Sequence, residues 1–211
     1  MPKIEPFERF TNRYDIWFKK HKYAYLSQLK AVDRLLPKDR EKCIEIGVGT
    51  GRFAKPLGIK YGLEPSPKMT KLAKKRGLTV YKGVAEDLPF GDKTFDCILI
   101  VTTICFVDDV KKSLEEAYRV LTEEGYIVIG FIDKNSKLGR YYQSIKEENP
   151  FYKEANFVTP KELISVLSEV GFKQFDIVQT IFKDLENIEQ IEPIKEGYGK
   201  GSFVVIRAKK K

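Results

Sequence analysis

Histidine and cysteine are scarce in this sequence of 211 residues, which holds one histidine, His21, and three cysteines. Cys43 and Cys97 lie in apolar, strand-like runs, and with Cys105 they make an odd number that cannot pair completely. We therefore expect three reduced, buried thiols. The spacing of these residues matches no zinc motif, so a metal site built from histidine and cysteine is not expected.

Long apolar runs are also absent. No run approaches the roughly 18 residues that span a membrane, and the opening segment, MPKIEPFERF, lacks the apolar core of a signal peptide. Hydrophobic residues make up 42% and charged residues 32% of the chain, which is typical of a globular protein. We expect a cytoplasmic protein in which residues 1–211 form a single domain.

Acidic residues are outnumbered, since 38 Lys and Arg face 30 Asp and Glu and give a formal net charge of +8. An acidic partner such as RNA would explain this excess. The basic residues alternate with acidic ones, however, and form no single stripe interleaved with aromatic residues. We favour a Lys- and Glu-rich surface like that of heat-adapted proteins, and the RNA interpretation stays open.

Strand-like and helix-like segments alternate after a helical start. Apolar runs predict seven strands, at 42–46, 59–64, 78–83, 95–103, 125–132, 175–182 and 202–208. Capping residues delimit helices between them, such as Ser66 with Gly77 and Thr159 with Gly171, while Pro56 allows only a short helix after the first strand. This order favours a mostly parallel α/β sheet with helices on both faces, closed by an antiparallel pair of strands.

Three glycines follow the first predicted strand in the segment EIGVGTG. Glycine tolerates positive φ and lacks Cβ, so backbone N–H groups can approach a ligand closely at the carboxyl end of a strand. This favours a nucleotide-like ligand over a plain turn. A phosphate-binding Walker loop needs Lys and then Ser or Thr where Arg52 and Phe53 stand, and a dinucleotide fingerprint needs glycine in place of Arg52.

Glu64 ends the second predicted strand and is the only carboxylate between Glu45 and Glu86. A lone carboxylate at this place can accept two hydrogen bonds from a ribose diol. The alternative is a solvent-exposed glutamate.

The segments EIGVGTG, GLEPS, AEDLPFGDKTFD and RVLTEEGYIVIG resemble, in this order, the class I S-adenosylmethionine-dependent methyltransferases. More narrowly, they are similar to the group that includes the ubiquinone and menaquinone biosynthesis methyltransferases. The resemblance covers about residues 41–132 well. It implies a Rossmann-like sheet of seven strands in the order 3-2-1-4-5-7-6 with strand 7 antiparallel. It also implies S-adenosyl-L-methionine as cofactor and S-adenosyl-L-homocysteine as product.

The resemblance further implies a cofactor contact set along the carboxyl ends of the strands. The glycine loop would hold the methionine part, the end of the second strand the ribose, the segment after the third strand the adenine, and the end of the fourth strand the sulfonium. Its members are Glu45, Gly47, Val48, Gly49, Gly51, Glu64, Pro65, Ala85, Glu86, Val101, Thr102 and Thr103. The adenine contacts are less well supported, because residues 51–64 are shorter than in the family and Val84 replaces a common acid.

The substrate side is expected to come from residues 1–40, a helical lid, and from residues 133–158, an insert after the fifth strand. In the lid, Arg13, Tyr14 and Trp17 resemble an element that closes over the cofactor in relatives, and Arg13 can meet a carboxylate. Tyr141 and Tyr142 are candidates in the insert, since aromatic rings hold flat or cationic substrates. The alternative is that these aromatic residues only pack the lid and the insert.

Methyl transfer is an in-line displacement that needs alignment and desolvation, so no catalytic residue is assigned. His21 as a general base and Cys105 as a nucleophile are considered, but a surface histidine and a buried thiol are the preferred interpretations. We expect methylation of a nitrogen or oxygen atom of a small molecule by a monomer or homodimer. The alternatives are a methyltransferase acting on RNA or protein and a non-catalytic cofactor-binding protein. The sequence does not identify the acceptor.

Overall fold

The computed structural model describes residues 4–210. Three consecutive helices open this part of the chain: α1 (Glu5–Arg9), α2 (Thr11–Lys20) and α3 (Lys22–Leu35). On α3 the buried residues recur mostly at intervals of three and four, which is the spacing of one helix face packed on a core. The helical start predicted from the sequence is therefore confirmed, and its attachment to the sheet decides where the candidate site lies.

The centre of the molecule is a sheet in the order β3-β2-β1-β4-β5-β8-β6-β7. Its strands are β1 (Cys43–Ile46), β2 (Tyr61–Leu63), β3 (Thr79–Tyr81), β4 (Phe95–Val101), β5 (Leu121–Ile132), β6 (Lys173–Thr180), β7 (Lys195–Glu196) and β8 (Phe203–Lys209). The neighbours from β3 to β5 are parallel, whereas β8 runs antiparallel to both β5 and β6.

The predicted sheet is confirmed. The strand predicted as the seventh is β8, and it lies between β5 and β6, as the predicted order requires. The structure adds one strand to the prediction, the two-residue β7, which pairs antiparallel with the outer side of β6. Both residues of β7 are charged and exposed, so no apolar pattern indicates it in the sequence.

Further helices connect the strands: α4 (Pro67–Lys75), α5 (Val110–Val120), α6 (Lys137–Ser144) and α7 (Pro160–Val170), with a 3-10 turn at Leu185–Asn187. The predicted caps form. Ser66 Oγ accepts a hydrogen bond from Met69 N at 3.2 Å, and Thr159 forms a reciprocal capping box with Glu162. None of the helices within residues 4–210 is long and apolar enough to cross a membrane.

The short helix predicted around Pro56 does not form, and residues 51–58 fold into successive turns. Pro56 has no N–H to donate, and the flanking bonds from Lys55 N to Gly51 O and from Leu57 N to Phe53 O are 3.3 and 3.2 Å long. The chain therefore returns from the glycine loop to β2 without a regular helix.

Apolar residues form one layer on each face of the sheet. Cys43 belongs to the layer that contains α3, the glycine loop and part of the insert. Ile44, the next residue on β1, belongs to the layer that contains α5 and α7. The strands are thus buried on both faces, as expected for parallel strands in the middle of a sheet. The assignment of residues 1–211 to a single domain stays a prediction.

Candidate active site

The glycine loop joins β1 to the turns before β2, and its three glycines have φ values of 70°, 53° and 82°. Gly47 N donates to Leu63 O at 2.9 Å, so the loop folds over the end of β2. A Cβ on Gly47 would lie 2.3 Å from Thr103 Cγ2, and a Cβ on Gly49 would lie 3.3 Å from the Tyr14 hydroxyl oxygen. Glycine is therefore required by the protein's own side chains around the loop, and a ligand benefits from the same close approach.

Glu64 follows β2 and is buried, with 7% of its surface exposed. Its Oε2 accepts a hydrogen bond from Gly49 N and its Oε1 accepts one from Ser66 N, both at 2.9 Å. Burial raises the pKa of Glu64 to about 6, while these two hydrogen bonds act to lower it. The solvent-exposed alternative is wrong. A carboxylate offers about four acceptor positions, so Glu64 keeps capacity for ligand hydroxyl groups.

A first cavity, of about 110 Å³, lies at the carboxyl ends of β1, β2 and β4. Eight of the predicted cofactor contacts line it: Gly47, Gly49, Glu64, Pro65, Ala85, Glu86, Thr102 and Thr103. Leu63, Met69 and Val107 form an apolar part of the wall. A carboxylate next to an apolar wall suits a ligand that has both hydroxyl groups and a flat base.

Four predicted contacts do not line the first cavity, namely Glu45, Val48, Gly51 and Val101. Glu45 is buried beneath the loop, where its Oε2 accepts a hydrogen bond from Ala54 N at 2.8 Å. This burial holds the pKa of the Glu45 carboxyl well above its usual range. The Val48 side chain fills the space that a Cβ on Gly62 would take. Glu45 and Val48 thus support the loop from behind, and the assignment of all four residues as direct cofactor contacts stays a prediction.

Some walls of the first cavity lie outside the predicted cofactor contacts. Phe7 on α1 lines it, as do Phe106, Val107 and Asp108 after β4. Glu86 Oε1 accepts a hydrogen bond from Asp108 N at 2.6 Å and so joins the segments that follow β3 and β4. The aromatic-rich start of the chain is a signal for Phe7, but residues 106–108 carry no distinctive pattern.

Two carboxylates attach the N-terminal helices to the rest of the molecule. Glu8 on α1 accepts hydrogen bonds from the Ser66 hydroxyl and, at 2.9 Å, from Lys68 N at the start of α4. Asp15 on α2 accepts a hydrogen bond at 2.8 Å from Arg52 Nε in the glycine loop. In this structure α1 and α2 therefore cover both cavities.

A second cavity, of about 190 Å³, lies between the N-terminal helices and the insert. Arg13, Tyr14 and Trp17 line it, and so does Tyr142. Tyr141 does not line it and is 55% exposed, whereas Tyr142 is 7% exposed. Both lie on α6, where one residue corresponds to a rotation of about 100°, so the two rings leave different faces. Tyr141 thus lies outside the wall of the second cavity, and its role as a substrate residue stays a prediction.

The aromatic residues of the lid and the insert pack against one another and also line the second cavity. Tyr142 stacks on Tyr152 with ring centroids 4.3 Å apart. Phe151 of the insert lies 5.5 Å from Phe7 of α1. All four rings contribute to the cavity wall, so packing and ligand contact are compatible rather than alternative roles.

The two cavities share the walls formed by Phe7, Tyr14, Thr102 and Phe106. Thr102 follows β4 with a φ of 51°, which is unusual for a β-branched residue, and its N–H donates to Gly130 O at 2.8 Å. Backbone strain of this kind occurs at functional sites. Ligands in the two cavities would lie next to each other at this point.

The two weaker candidates for catalysis lie in different places. His21 is half-buried between α2 and α3, lines neither cavity, and has its ring 5.1 Å from that of Trp17. Burial lowers the pKa of His21. Cys43 and Cys97 are buried as predicted, but Cys105 is half-buried and lines the second cavity. The prediction of three buried thiols is wrong at Cys105, because the chain after β4 turns into the cavity wall.

Comparison with known proteins decides the family. Residues 44–129 match the family model of a methyltransferase domain. A solved structure from Thermotoga maritima, described as a SAM-dependent methyltransferase and possible histamine N-methyltransferase, is 53% identical with a TM-score of 0.96 and covers 99% of this chain and 100% of that one. This chain belongs to the class I S-adenosylmethionine-dependent methyltransferases.

Two further relatives match most of this chain. An uncharacterised protein of Methanocaldococcus jannaschii is 48% identical to this methyltransferase over 204 residues, which are 97% of this chain and 98% of the relative. The demethylmenaquinone methyltransferase of Thermotoga maritima is 28% identical over 198 residues, covering 79% of this chain and 86% of the relative. The latter match supports the assignment to the class I methyltransferases.

The cofactor of this methyltransferase is S-adenosyl-L-methionine, and the residues of the first cavity fit it. Glu64 offers carboxylate oxygens for sugar hydroxyl groups. Leu63 and Met69 offer an apolar surface for a purine ring, and the glycine loop brings the backbone to the cavity wall. Among the described residues no group of three His, Cys, Asp or Glu side chains could hold a metal ion.

Proposed function

We propose that this methyltransferase transfers a methyl group from S-adenosyl-L-methionine to a nitrogen or oxygen atom of a small molecule held in the second cavity. The observation that carries the proposal is the junction of the two cavities at Tyr14 and Thr102. A cofactor in the first cavity and an acceptor in the second would lie next to each other there. The relative described as a possible histamine N-methyltransferase supports nitrogen as the accepting atom.

We assign the parts of the cofactor along the first cavity. The ribose hydroxyl groups are assigned to Glu64, the methionine part to Gly47 and Gly49, and the adenine to the segment of Ala85 and Glu86. Thr102 and Thr103 are assigned to the side of the sulfonium. The positions of these residues on the cavity wall support this order, as does the carboxylate of Glu64 at the end of β2.

The mechanism rests on alignment and exclusion of water. The bound cofactor supplies a methyl group activated by a positively charged sulfur. The lid and the insert enclose the acceptor with aromatic side chains such as Tyr142 and Phe151. Within residues 4–210, no Asp, Glu, His or Lys side chain lines the second cavity, which favours an accepting atom that already has an available lone pair.

The position of the second cavity, between the lid and the insert, supports a small acceptor over RNA or protein. A cavity of about 150 Å³ holds benzene, so about 190 Å³ gives room for at least one ring. A second cavity next to the cofactor also supports catalysis over simple cofactor sensing. The net charge of +8 is the argument for RNA, and steeply salt-dependent retention on heparin would be its test.

The first experiment is calorimetric titration with S-adenosyl-L-methionine, S-adenosyl-L-homocysteine and NADH. Micromolar binding of the first two and no binding of NADH are expected. Labelled methyl transfer to a panel of amines, ring-nitrogen compounds and phenols, with histamine included, then tests catalysis. Failure of a ligand-free preparation to bind either sulfur compound would refute the proposal. We also propose a cytoplasmic monomer or homodimer, which light scattering and fractionation can check.

A further inference from the structure

We infer that the acceptor is a one-ring organic anion whose ring lies in the second cavity and whose negative charge lies against Arg13. The inference rests on the proposed function and names the substrate class of that same site. It follows from the charges, the shape and the opening of the cavity wall.

Arg13 is the only charged side chain among the described residues that line the second cavity. It is exposed on α2, so it stands where the cavity meets solvent. Its guanidinium lies 5.9 Å from the centroid of the Phe151 ring, which holds it over the aromatic wall. In the described part of the chain, no carboxylate lies within ion-pair distance of Arg13. A ligand carboxylate would supply the missing partner.

The rest of the wall argues against a protonated amine. The polar groups of the cavity interior are uncharged, and include those of Gln28, Cys105 and Asn149. An ammonium group would have aromatic faces but no carboxylate to replace its lost water, and no Asp, Glu, His or Lys side chain among the described lining residues could take its proton before transfer. An uncharged ring nitrogen, or an oxygen that is already ionised, needs no such base.

The bonding change balances without another reactant. The lone pair of the ring atom forms the new bond to the methyl carbon, and the carbon–sulfur bond breaks with its electron pair on sulfur. A ring nitrogen that becomes positively charged in this step gives its other N–H proton to water, as imidazole does. The aromatic walls and the stacked pair Tyr142 and Tyr152 keep the ring in place, while Arg13 fixes its charged side chain at the opening.

The test uses matched compounds on protein loaded with S-adenosyl-L-homocysteine. Imidazole and phenol rings are each tested with a carboxylate, an ammonium and an uncharged short side chain, and binding is measured by saturation-transfer NMR and titration. We expect carboxylates of at least one ring type to bind about fivefold or more tightly than their ammonium and uncharged counterparts, the gain of a partly exposed charge pair.

Arg13→Gln is expected to remove this preference, because it deletes the positive charge from an exposed position. Arg9→Gln is the matched control, since Arg9 is also exposed on a lid helix but does not line the second cavity. Equal binding of the charged forms, no binding of any carboxylate, or an unchanged preference in Arg13→Gln would overturn the inference. If the unmodified protein does not bind S-adenosyl-L-homocysteine at all, the proposed function is refuted instead.

Discussion

Asp15 Oδ1 lies 2.9 Å from Arg76 Nη2, which joins α2 of the lid to the C-terminal end of α4. The same carboxylate oxygen accepts hydrogen bonds from Thr50 Oγ1 and Arg52 Nε, each at 2.8 Å. Burial acts to raise the pKa of Asp15, but the hydrogen bonds from Arg52 and Thr50 outweigh it and leave the pKa below its usual value. One carboxylate therefore connects the lid, the glycine loop and α4.

Replacing this carboxylate should loosen the lid. We expect Asp15→Asn to lower the free energy of unfolding by about 1.5 to 3 kcal/mol, because two partly buried guanidinium groups lose a charged acceptor. Urea denaturation measures the change. Asp33→Asn is the control, because the Asp33 side chain is 56% exposed and pairs among the described residues only with Arg40, and we expect it to cost less than about 1 kcal/mol. Equal losses in both variants would contradict a special role for Asp15.

The sheet could be predicted from the sequence because each main strand carries its own apolar pattern and several helices carry their own caps, such as Ser66 and Gly171. The contact between Asp15 and Arg76 could not, since its partners are 61 residues apart and neither belongs to a local motif. The short helix predicted around Pro56 does not form, which shows the limit of prediction from local sequence. Proline restricts the length of a helix, but the turns around it decide whether a short helix forms.

The candidate site, like the fold, could be predicted only in part from the sequence. Glu64 could be identified because its place at the end of a strand, among basic residues, is visible in the sequence. The sequence could not predict whether Glu45 touches the cavity, because the position of the loop depends on the residues packed behind it. Tyr141 and Tyr142 could not be separated either, since the polar insert does not reveal where α6 begins and hence which ring faces inward.

The affinity for S-adenosyl-L-methionine should fall as the pH drops through about 6. Burial raises the pKa of Glu64 to about 6, and the neighbouring Glu8 carboxylate acts in the same direction. Ribose hydroxyl groups donate best to the ionised form. Below this pKa the affinity should therefore fall by up to roughly tenfold for each pH unit. In the free protein the sign is opposite: the contribution of Glu64 to stability is full below its ordinary pKa and is lost as the pH rises through about 6.

Glu64→Gln tests this assignment directly. We expect a loss of affinity of roughly ten- to a hundredfold at neutral pH, because charge-assisted hydrogen bonds of about 1.5 to 3 kcal/mol are removed. Titration from pH 5 to 8, a range that includes the transition near pH 6, should show an affinity that does not change with pH in this variant. A slope equal to that of the unmodified protein would assign the titration to another group, and an unchanged affinity would refute the ribose contact.

Gly49→Ala separates backbone strain from ligand contact when it is compared with Gly58→Ala. Both glycines have positive φ, of 53° and 74°, so each alanine should cost about 1 to 2 kcal/mol of stability. A Cβ on Gly49 would lie 3.3 Å from the Tyr14 hydroxyl oxygen beside the first cavity, whereas nothing lies within 4 Å of a Cβ on Gly58. Calorimetry should show weaker cofactor binding in Gly49→Ala alone. Similar affinities in the two variants would mean that the loop does not touch the cofactor at Gly49.

Neighbouring tyrosines on α6 should respond very differently to truncation. Tyr142→Ala removes a ring that is 7% exposed and stacked on Tyr152, so we expect a loss of about 3 to 5 kcal/mol in the free energy of unfolding. Tyr141→Ala should change it by less than about 1 kcal/mol, because Tyr141 is 55% exposed. Tyr142→Phe keeps the ring and allows binding to be measured if the alanine variant unfolds. Comparable losses at positions 141 and 142 would mean that α6 presents a different face to the second cavity, and the acceptor wall would then have to be reassigned.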